Sequence, residues 1–327
     1  MRAVQAGSPG GPEVLSVVSL PDLVPDAEQV VVAVAAAGVN FIDTYRRSGV
    51  YPGQFPHVVG TEGAGVVTAV GAGVRDVAVG DTVAWIAGTG GSYAEQVRLV
   101  AEQAIPVPDG VPLTTAAALM LQGITAHYLA TSTFPVRAGQ QILVHAGAGG
   151  VGLLLTQLAV ARGATVITTV STEEKAALSR AAGATQVIRY DQLDDLTRDL
   201  PPLVRELSGG GVHTVFDGVG RATFDASLAC LRPRGGLALF GGASGQVPPF
   251  DPQRLNTAGS VYLTRPTIGA YAASRAELLE RAADLLERVR AGTLDVRVGA
   301  TYSLDDAAQA HRALESRATT GKVLLVP

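Results

Sequence analysis

The chain has 327 residues, 47% of them hydrophobic and 17% charged, with 39 glycines and a formal net charge of −4. That length suits about two domains, and the acidic balance argues against nucleic acid as the main partner, because a phosphate backbone asks for a basic face. The single cysteine, Cys230, rules out an internal disulfide and any zinc site built from several thiolates.

The N-terminal segment lacks the charged start and apolar core of a signal peptide. The longest apolar run, residues 30–39, falls short of the roughly 18 residues a membrane span takes. The expectation is a cytoplasmic protein without membrane contact. Up to about residue 122, valine, glycine and proline dominate. Short β runs at 14–18, 29–35, 65–70, 82–84 and 94–97 alternate with turn signals such as Gly71-Ala72-Gly73 and Gly80-Asp81. They predict a mostly antiparallel, barrel-like domain. Residues 114–129 read as a helix broken near Gly123.

From about residue 140 the rhythm changes. Strands at 142–144, 165–170, 187–188, 212–216, 237–240 and 261–263 alternate with helical stretches. One helix leaves the first strand over 153–161. A second starts at Ser171, with Glu174 three residues on as a capping-box pair, and stops at Gly183. A third, polar, runs to Leu207. Such alternation predicts a doubly wound parallel sheet of the α/β class. An amphipathic helix over 275–291, a short helix over 304–314 and a strand over 323–326 close the chain and are expected to return to the first domain. The expected division is therefore 1–122 with 266–327, and 123–265.

The run Val144-His145-Ala146-Gly147-Ala148-Gly149-Gly150-Val151-Gly152 fits G-x-G-x-x-G with glycines at 147, 149 and 152. The pattern alone is weak, since any Gly-rich turn of an α/β domain can match it. Its setting, between a strand and a helix with a second strand following, points to a dinucleotide. Gly147 permits a tight turn, Gly149 lets backbone approach a pyrophosphate, and Gly152 lets the helix sit close to the sheet. The helix N-terminus offers free N–H groups to the phosphates. The second strand ends at Val170-Ser171-Thr172, with no acid where an NAD-preferring unit places one for the ribose diol. Ser171 and Thr172 suit a 2′-phosphate and Lys175 adds charge, against the competing reading of Lys175 as a solvated helix residue. Glu173 and Glu174 count the other way, although Glu174 is expected to cap. The balance favours NADPH over NADH.

Three further segments carry a resemblance: Gly38-Val39-Asn40-Phe41-Ile42-Asp43-Thr44-Tyr45, Gly60-Thr61-Glu62-Gly63-Ala64-Gly65-Val66-Val67, and Glu315-Ser316-Arg317-Ala318-Thr319-Thr320-Gly321. With the glycine loop they make the chain resemble, nearly end to end, the zinc-independent, zeta-crystallin-like quinone oxidoreductases of the medium-chain dehydrogenase/reductase superfamily. The resemblance implies a Rossmann domain, a GroES-like barrel domain, a homodimer joined through the sixth strand at 260–263, and NADPH-dependent reduction of a quinone or conjugated carbonyl by hydride or single-electron transfer. An enoyl or alkenal reductase is the alternative; an RNA-binding or structural role ranks lower. Zinc-dependent relatives carry Cys where Asn40 stands and His where Thr61 stands, so metal catalysis is not expected here.

The resemblance also implies the contacts. Asn40, Phe41 and Tyr45 lie near the nicotinamide end, with Thr125 and Tyr128 approaching from the helix after the first domain. Gly149, Gly150, Val151 and Gly152 hold the pyrophosphate. Ser171, Thr172 and Lys175 hold the 2′-phosphate, and Tyr190 lies against the adenosine. Asp217 and Gly218 follow the fourth strand, where relatives often have Ser in place of Gly218. Phe240, Gly241 and Gly242 follow the fifth strand; Leu263, Thr264 and Arg265 follow the sixth; Arg317 reaches in from the tail. For substrate, Tyr45 and Tyr51 are expected as pocket walls and phenol donors and Asn40 as an amide donor, with plain packing the competing reading for either tyrosine. His57, His127, His145, His213 and His311 read as packed or exposed rather than catalytic, and Asp43 as either an organiser of the entry loop or a cap.

Overall fold

Valine-rich alternation becomes strand through the first third of the chain: β1 (Arg2–Ala6), β2 (Leu15–Ser19) and β3 (Gln29–Val39), a short helix α1 (Phe41–Arg47), then β4 (His57–Val58), β5 (Glu62–Val70), β6 (Thr82–Ile86), β7 (Gln96–Val100) and β8 (Ile105–Pro106). Helix α2 (Leu113–Tyr128) leads into β9 (Gln141–Val144), α3 (Gly150–Ala161), β10 (Thr165–Val170), α4 (Glu173–Ala181), β11 (Gln186–Arg189), α5 (Leu196–Ser208) and β12 (Val212–Asp217). There follow α6 (Phe224–Cys230), β13 (Leu231–Leu239), α7 (Gln253–Thr257), β14 (Tyr262–Thr264) and α8 (Ile268–Tyr271). The tail holds α9 (Arg275–Arg290), β15 (Val298–Ser303), α10 (Ala307–Glu315) and β16 (Lys322–Val326). This is a computed structural model, and it describes residues 1–86 and 90–327. None of its helices is long and apolar enough to cross a membrane, among the described residues.

By its contacts the chain divides into Met1–Ile124 with Ser274–Pro327, and Thr125–Ala273. In the first unit, one sheet runs β2-β1-β4 and a second runs β15-β16-β3-β5-β6-β8, with β7 also on β3. Strand β16 lies antiparallel to β3, with Leu324 opposite Gly38. The apolar core pools Val32, Val67, Trp85 and Leu99 with Leu304, Leu314 and Leu325 of the tail. Burying such side chains contributes about 1.5–3 kcal/mol each, which ties the tail to the barrel.

The second unit is a six-stranded sheet, all pairs parallel, in the order β11-β10-β9-β12-β13-β14. The order reverses between β9 and β12, and doubly wound sheets of this order hold dinucleotides at that switch point. The expected Rossmann architecture is present.

Some local expectations need correction. The apolar runs did not reveal β1, β4, β8, β15, α1, α6, α7 or α8. Helix α2 passes through Gly123 without a break. The missing side chain serves packing instead: a Cβ there would lie 3.2 Å from Leu285 Cδ1 of α9. The N-cap of α4 is Thr172, not Ser171. The Thr172 hydroxyl accepts from the Lys175 N–H at 3.2 Å, so the expected Ser171–Glu174 box does not form.

Candidate cofactor and substrate sites

In the second unit, β9 delivers the chain into the glycine loop and α3 leaves it. Gly149 is the helix N-cap in extended conformation, and α3 begins at Gly150. Helix geometry leaves the first N–H groups, those of Gly150, Val151 and Gly152, without intrahelical acceptors. Any Cβ on Gly152 would overlap the Ala146 carbonyl, and one on Gly147 would lie 2.6 Å from Thr168 Cβ. The loop therefore closes this tightly on α3 and β10 only because these positions lack side chains. Ala146 itself takes a left-handed φ of 54°.

Beneath the loop lies a buried polar network. Thr223 and Ser227 hydroxyls donate to the Asp217 carboxylate, at 2.7 Å each to Oδ2, and the Val219 and Gly220 N–H groups donate to Oδ1 at 2.8 and 3.0 Å. Ser227 has one hydroxyl proton and spends it on Asp217. His145 Nε2, 3.0 Å from the Ser227 oxygen, must therefore donate, and Nδ1 accepts from Thr169 Oγ1 at 2.8 Å. Burial pushes the His145 pKa down, against the pull of Asp217. His145 is thus a packed histidine that ties β9 to β10 and α6. Asp217 needs a correction: its side chain is fully buried and fully engaged, so it shapes the loop rather than facing a ligand. Its carbonyl accepts from the Phe240 N–H at 2.9 Å and the Gly241 N–H at 3.3 Å, which ties the loop after β12 to the one after β13.

At Gly218, a Cβ would lie 2.8 Å from the Phe240 ring. Phe240 fills the space a serine would take, which explains the glycine. Gly241 and buried Gly242 follow it. Leu263 and Thr264 are half-buried at the end of β14, and Arg265 is exposed. Leu263, Arg265, Gly241, Phe224 and Phe250 line a largely apolar cavity of about 410 Å³.

At the tip of β10, Lys175 Nζ donates to Ser171 Oγ at 3.3 Å. The Thr172 hydroxyl serves as cap yet keeps its own proton to donate. Glu173, the acid nearest the tip, is held by Arg180 at 2.7 Å and Arg189 at 3.4 Å, and its pKa is lowered, chiefly by Arg180. Tyr190 is half-buried in the turn after β11. Buried Thr125 sits on α2, and Tyr128 is packed in the second unit, stacked on Tyr271 at 4.6 Å and 8°. One face of the Tyr128 ring is thus taken up by a tyrosine.

The first unit carries the other expected site residues. Phe41, Tyr45 and Tyr51 are half-buried and edge-packed, with Tyr45 6.2 Å from Phe41 and 5.5 Å from Tyr51 between ring centroids. Asn40 is a different matter. Its amide donates to Glu62 Oε1 at 2.6 Å and Gly38 O at 3.3 Å, and its Oδ1 accepts from Lys322 Nζ at 2.8 Å. With 3% exposure, Asn40 has no donor left for a substrate. It belongs to a lock in which Lys322 and Glu62 form a fully buried ion pair and the Leu121 N–H donates to Glu62 Oε2 at 2.6 Å. Gly38 makes the room, since a Cβ there would overlap both charged groups. Sequence reasoning missed Lys322 altogether.

A second network crosses α1. Asp43 caps the helix by accepting from the Asn40 N–H at 2.9 Å, and it also accepts from Thr61 Oγ1 at 2.5 Å and Tyr93 OH at 3.0 Å. Burial pushes its pKa up to about 6, against those three donors. Arg47 only donates, so His311 Nδ1, 3.1 Å away, is the acceptor and Nε2–H points to Tyr93 at 3.2 Å. Burial, and then Arg47, push the His311 pKa down to about 3. Arg317 is exposed with φ 59°. Among the described residues no three His, Cys, Asp or Glu side chains gather as metal ligands.

Comparison with known proteins agrees with both halves. Residues 26–109 match the alcohol dehydrogenase GroES-like domain and residues 150–288 match the family described as zinc-binding dehydrogenase. A quinone oxidoreductase of Salmonella typhimurium is 43% identical over 322 residues, covering 97% of each chain. A 2-haloacrylate reductase of a Burkholderia species is 42% identical over 311 residues, covering 93% of this chain and 92% of the relative. The crystal structure of Escherichia coli quinone oxidoreductase complexed with NADPH superposes with a TM-score of 0.96 at 40% identity, covering 100% of both chains.

Proposed function

This chain belongs to the quinone oxidoreductases of the medium-chain dehydrogenase/reductase superfamily, and from that premise we propose that it reduces quinones with NADPH. The observation that carries the coenzyme half is the tip of β10: a Lys175–Ser171 pair, a free hydroxyl proton on Thr172, and the nearest acid drawn off by two arginines. That set suits a 2′-phosphate and lacks the acid that would take both hydroxyls of a bare ribose diol. NADPH, when bound, supplies a hydride from its nicotinamide.

The protein's share is placement. Gly149 to Gly152 admit the pyrophosphate to the start of α3, whose N–H groups take up its charge. Phe41, Tyr45 and Tyr51 supply an aromatic wall of mutually inclined rings for the acceptor, with Tyr45 and Tyr51 as phenol donors to its oxygens. Where Asn40 and Thr61 stand, the buried cation is the Lys322 ammonium, already spent on Glu62. Its engagement supports a metal-free mechanism, which suits acceptors that take hydride readily. The 2-haloacrylate reductase relative favours reduction of conjugated alkenes as the second reading.

The reading includes a cytoplasmic homodimer joined at β14. That strand is the sheet edge and exposes Tyr262 to 61%, an edge that a second copy would cover. Light scattering at micromolar protein should give twice the chain mass; a monomer refutes the dimer. Fluorescence titration should show NADPH binding well below the NADH concentration range, and a quinone panel should oxidise NADPH faster than a panel of unsaturated carbonyls. Equal affinity for both coenzymes, or no quinone turnover, would overturn the proposal.

A further inference from the structure

The first unit holds a cavity of about 450 Å³ whose lining includes neither Tyr45 nor Tyr51. Its wall includes Gln5 of β1, Arg46 of α1, Pro56, His57 of β4, and Gly91. Arg46 is exposed, and its NH1 donates to Thr61 Oγ1 at 3.1 Å. Among the described residues it forms no ion pair. The neighbouring Arg47, by contrast, is buried and paired with Glu315 at 2.6 Å. One of two adjacent arginines is therefore structural and the other is a guanidinium with donors to spare at a cavity wall. Asp43 also borders the space, but its oxygens are turned to Thr61, Tyr93 and the Asn40 N–H. Thr61 bridges the two, accepting from Arg46 and donating to Asp43, which fixes one edge of the guanidinium plane and leaves the other open. A planar fork held in this way matches a carboxylate's two oxygens. Pro56 and His57 also line the cavity.

We infer that this cavity receives the polar end of the electron acceptor and that Arg46 selects acceptors bearing a carboxylate, such as carboxy-substituted quinones and conjugated unsaturated acids. The inference rests on the reading of the chain as an NADPH-dependent reductase, and names the substrate class that this reading leaves open.

The test compares 1,4-benzoquinone with its carboxy-substituted form in the wild type, Arg46→Gln and Arg46→Lys. The wild type should favour the carboxylated quinone. Arg46→Gln should lower kcat/KM for it by about three- to tenfold, mostly through KM, the size of one charged hydrogen bond at a partly wet site. The ratio of kcat/KM for the carboxylated quinone over the neutral one should therefore fall, and Arg46→Lys should restore part of that ratio. Binding is also read without turnover. Trp85 is the only tryptophan, buried and hydrogen-bonded to Ser92, the residue after Gly91, at 2.9 Å. Quenching of its fluorescence by the carboxylated quinone, with no NADPH present, should weaken in Arg46→Gln. A quinone preference and a quenching curve that are the same in all three proteins overturn the inference. Failure of every quinone to oxidise NADPH overturns the proposed function instead, and the quenching titration still decides for or against Arg46.

Discussion

Replacing Lys322 with methionine tests whether the buried lock holds the first unit together. Lys322 and Glu62 are 1% and 0% exposed, so neither charge has water to fall back on. The substitution keeps most of the side chain's volume. It leaves the Glu62 carboxylate with two donors, Asn40 Nδ2 and the Leu121 N–H, and strips Asn40 Oδ1 of its own. Breaking one partner of such a pair costs about 3–5 kcal/mol. At roughly 2–4 °C per kcal/mol for a unit of this size, the thermal midpoint should fall by about 10 °C. Glu62→Gln should cost a similar amount by stranding the ammonium. The double variant should cost about 2–3 kcal/mol less than the sum, because two unpaired charges disappear together. Urea unfolding followed by far-ultraviolet circular dichroism measures all three. Additive losses, or a loss under about 1 kcal/mol for Lys322→Met, would refute the reasoning.

Lys175→Ala should weaken NADPH binding by about tenfold and leave NADH binding unchanged, read by nucleotide fluorescence; retention of the full NADPH preference would clear Lys175 of the role. Gly152→Ala forces the loop off the Ala146 carbonyl, so NADPH affinity should drop by about a hundredfold or more while α3 stays helical. His311 titrates at about 3 when folded and near 6.5 when unfolded, so its contribution is present above pH 6.5 and is lost as pH falls toward 3. The gap in thermal midpoint between wild type and His311→Gln should therefore narrow from pH 7 to pH 5, and a constant gap would contradict the assignment. Asp43, raised to about 6, works in the opposite direction over pH 4–6 in both proteins. Prolonged treatment with a chelator should leave quinone turnover intact; a loss restored by zinc would defeat the metal-free reading.

What the sequence revealed, and what it hid, follows from which interactions are local. The glycine loop was readable because backbone clearance forces glycine at fixed spacing, as at Gly147 and Gly152. Strand β10 was readable because five of its six residues are buried and its β-branched run is continuous. Strand β15 was not, since its V-G-A-T-Y-S run is an exposed edge with no apolar stripe. The N-cap of α4 was misplaced by one residue because Ser171 and Thr172 are both good caps, and the choice depends on chain direction leaving β10. Asn40 was read as a ligand contact from the family resemblance, and its engagement was hidden because its partner Lys322 lies 282 positions along the chain. Arg46 is indistinguishable in sequence from Arg47, and only tertiary structure separates an arginine without an ion pair from the paired one beside it.

Strand β16 has a bearing on how the protein is made. Lys322 is translated after every residue of the second unit, yet it neutralises an acid laid down 260 positions earlier and completes a sheet around β3. A nascent chain that has emerged through residue 300 can already wind its six parallel strands, while its leading portion still carries an uncompensated Glu62. The portion synthesised first is thus the one that finishes last, and a message cut before codon 322 withholds both the cation and the strand from it.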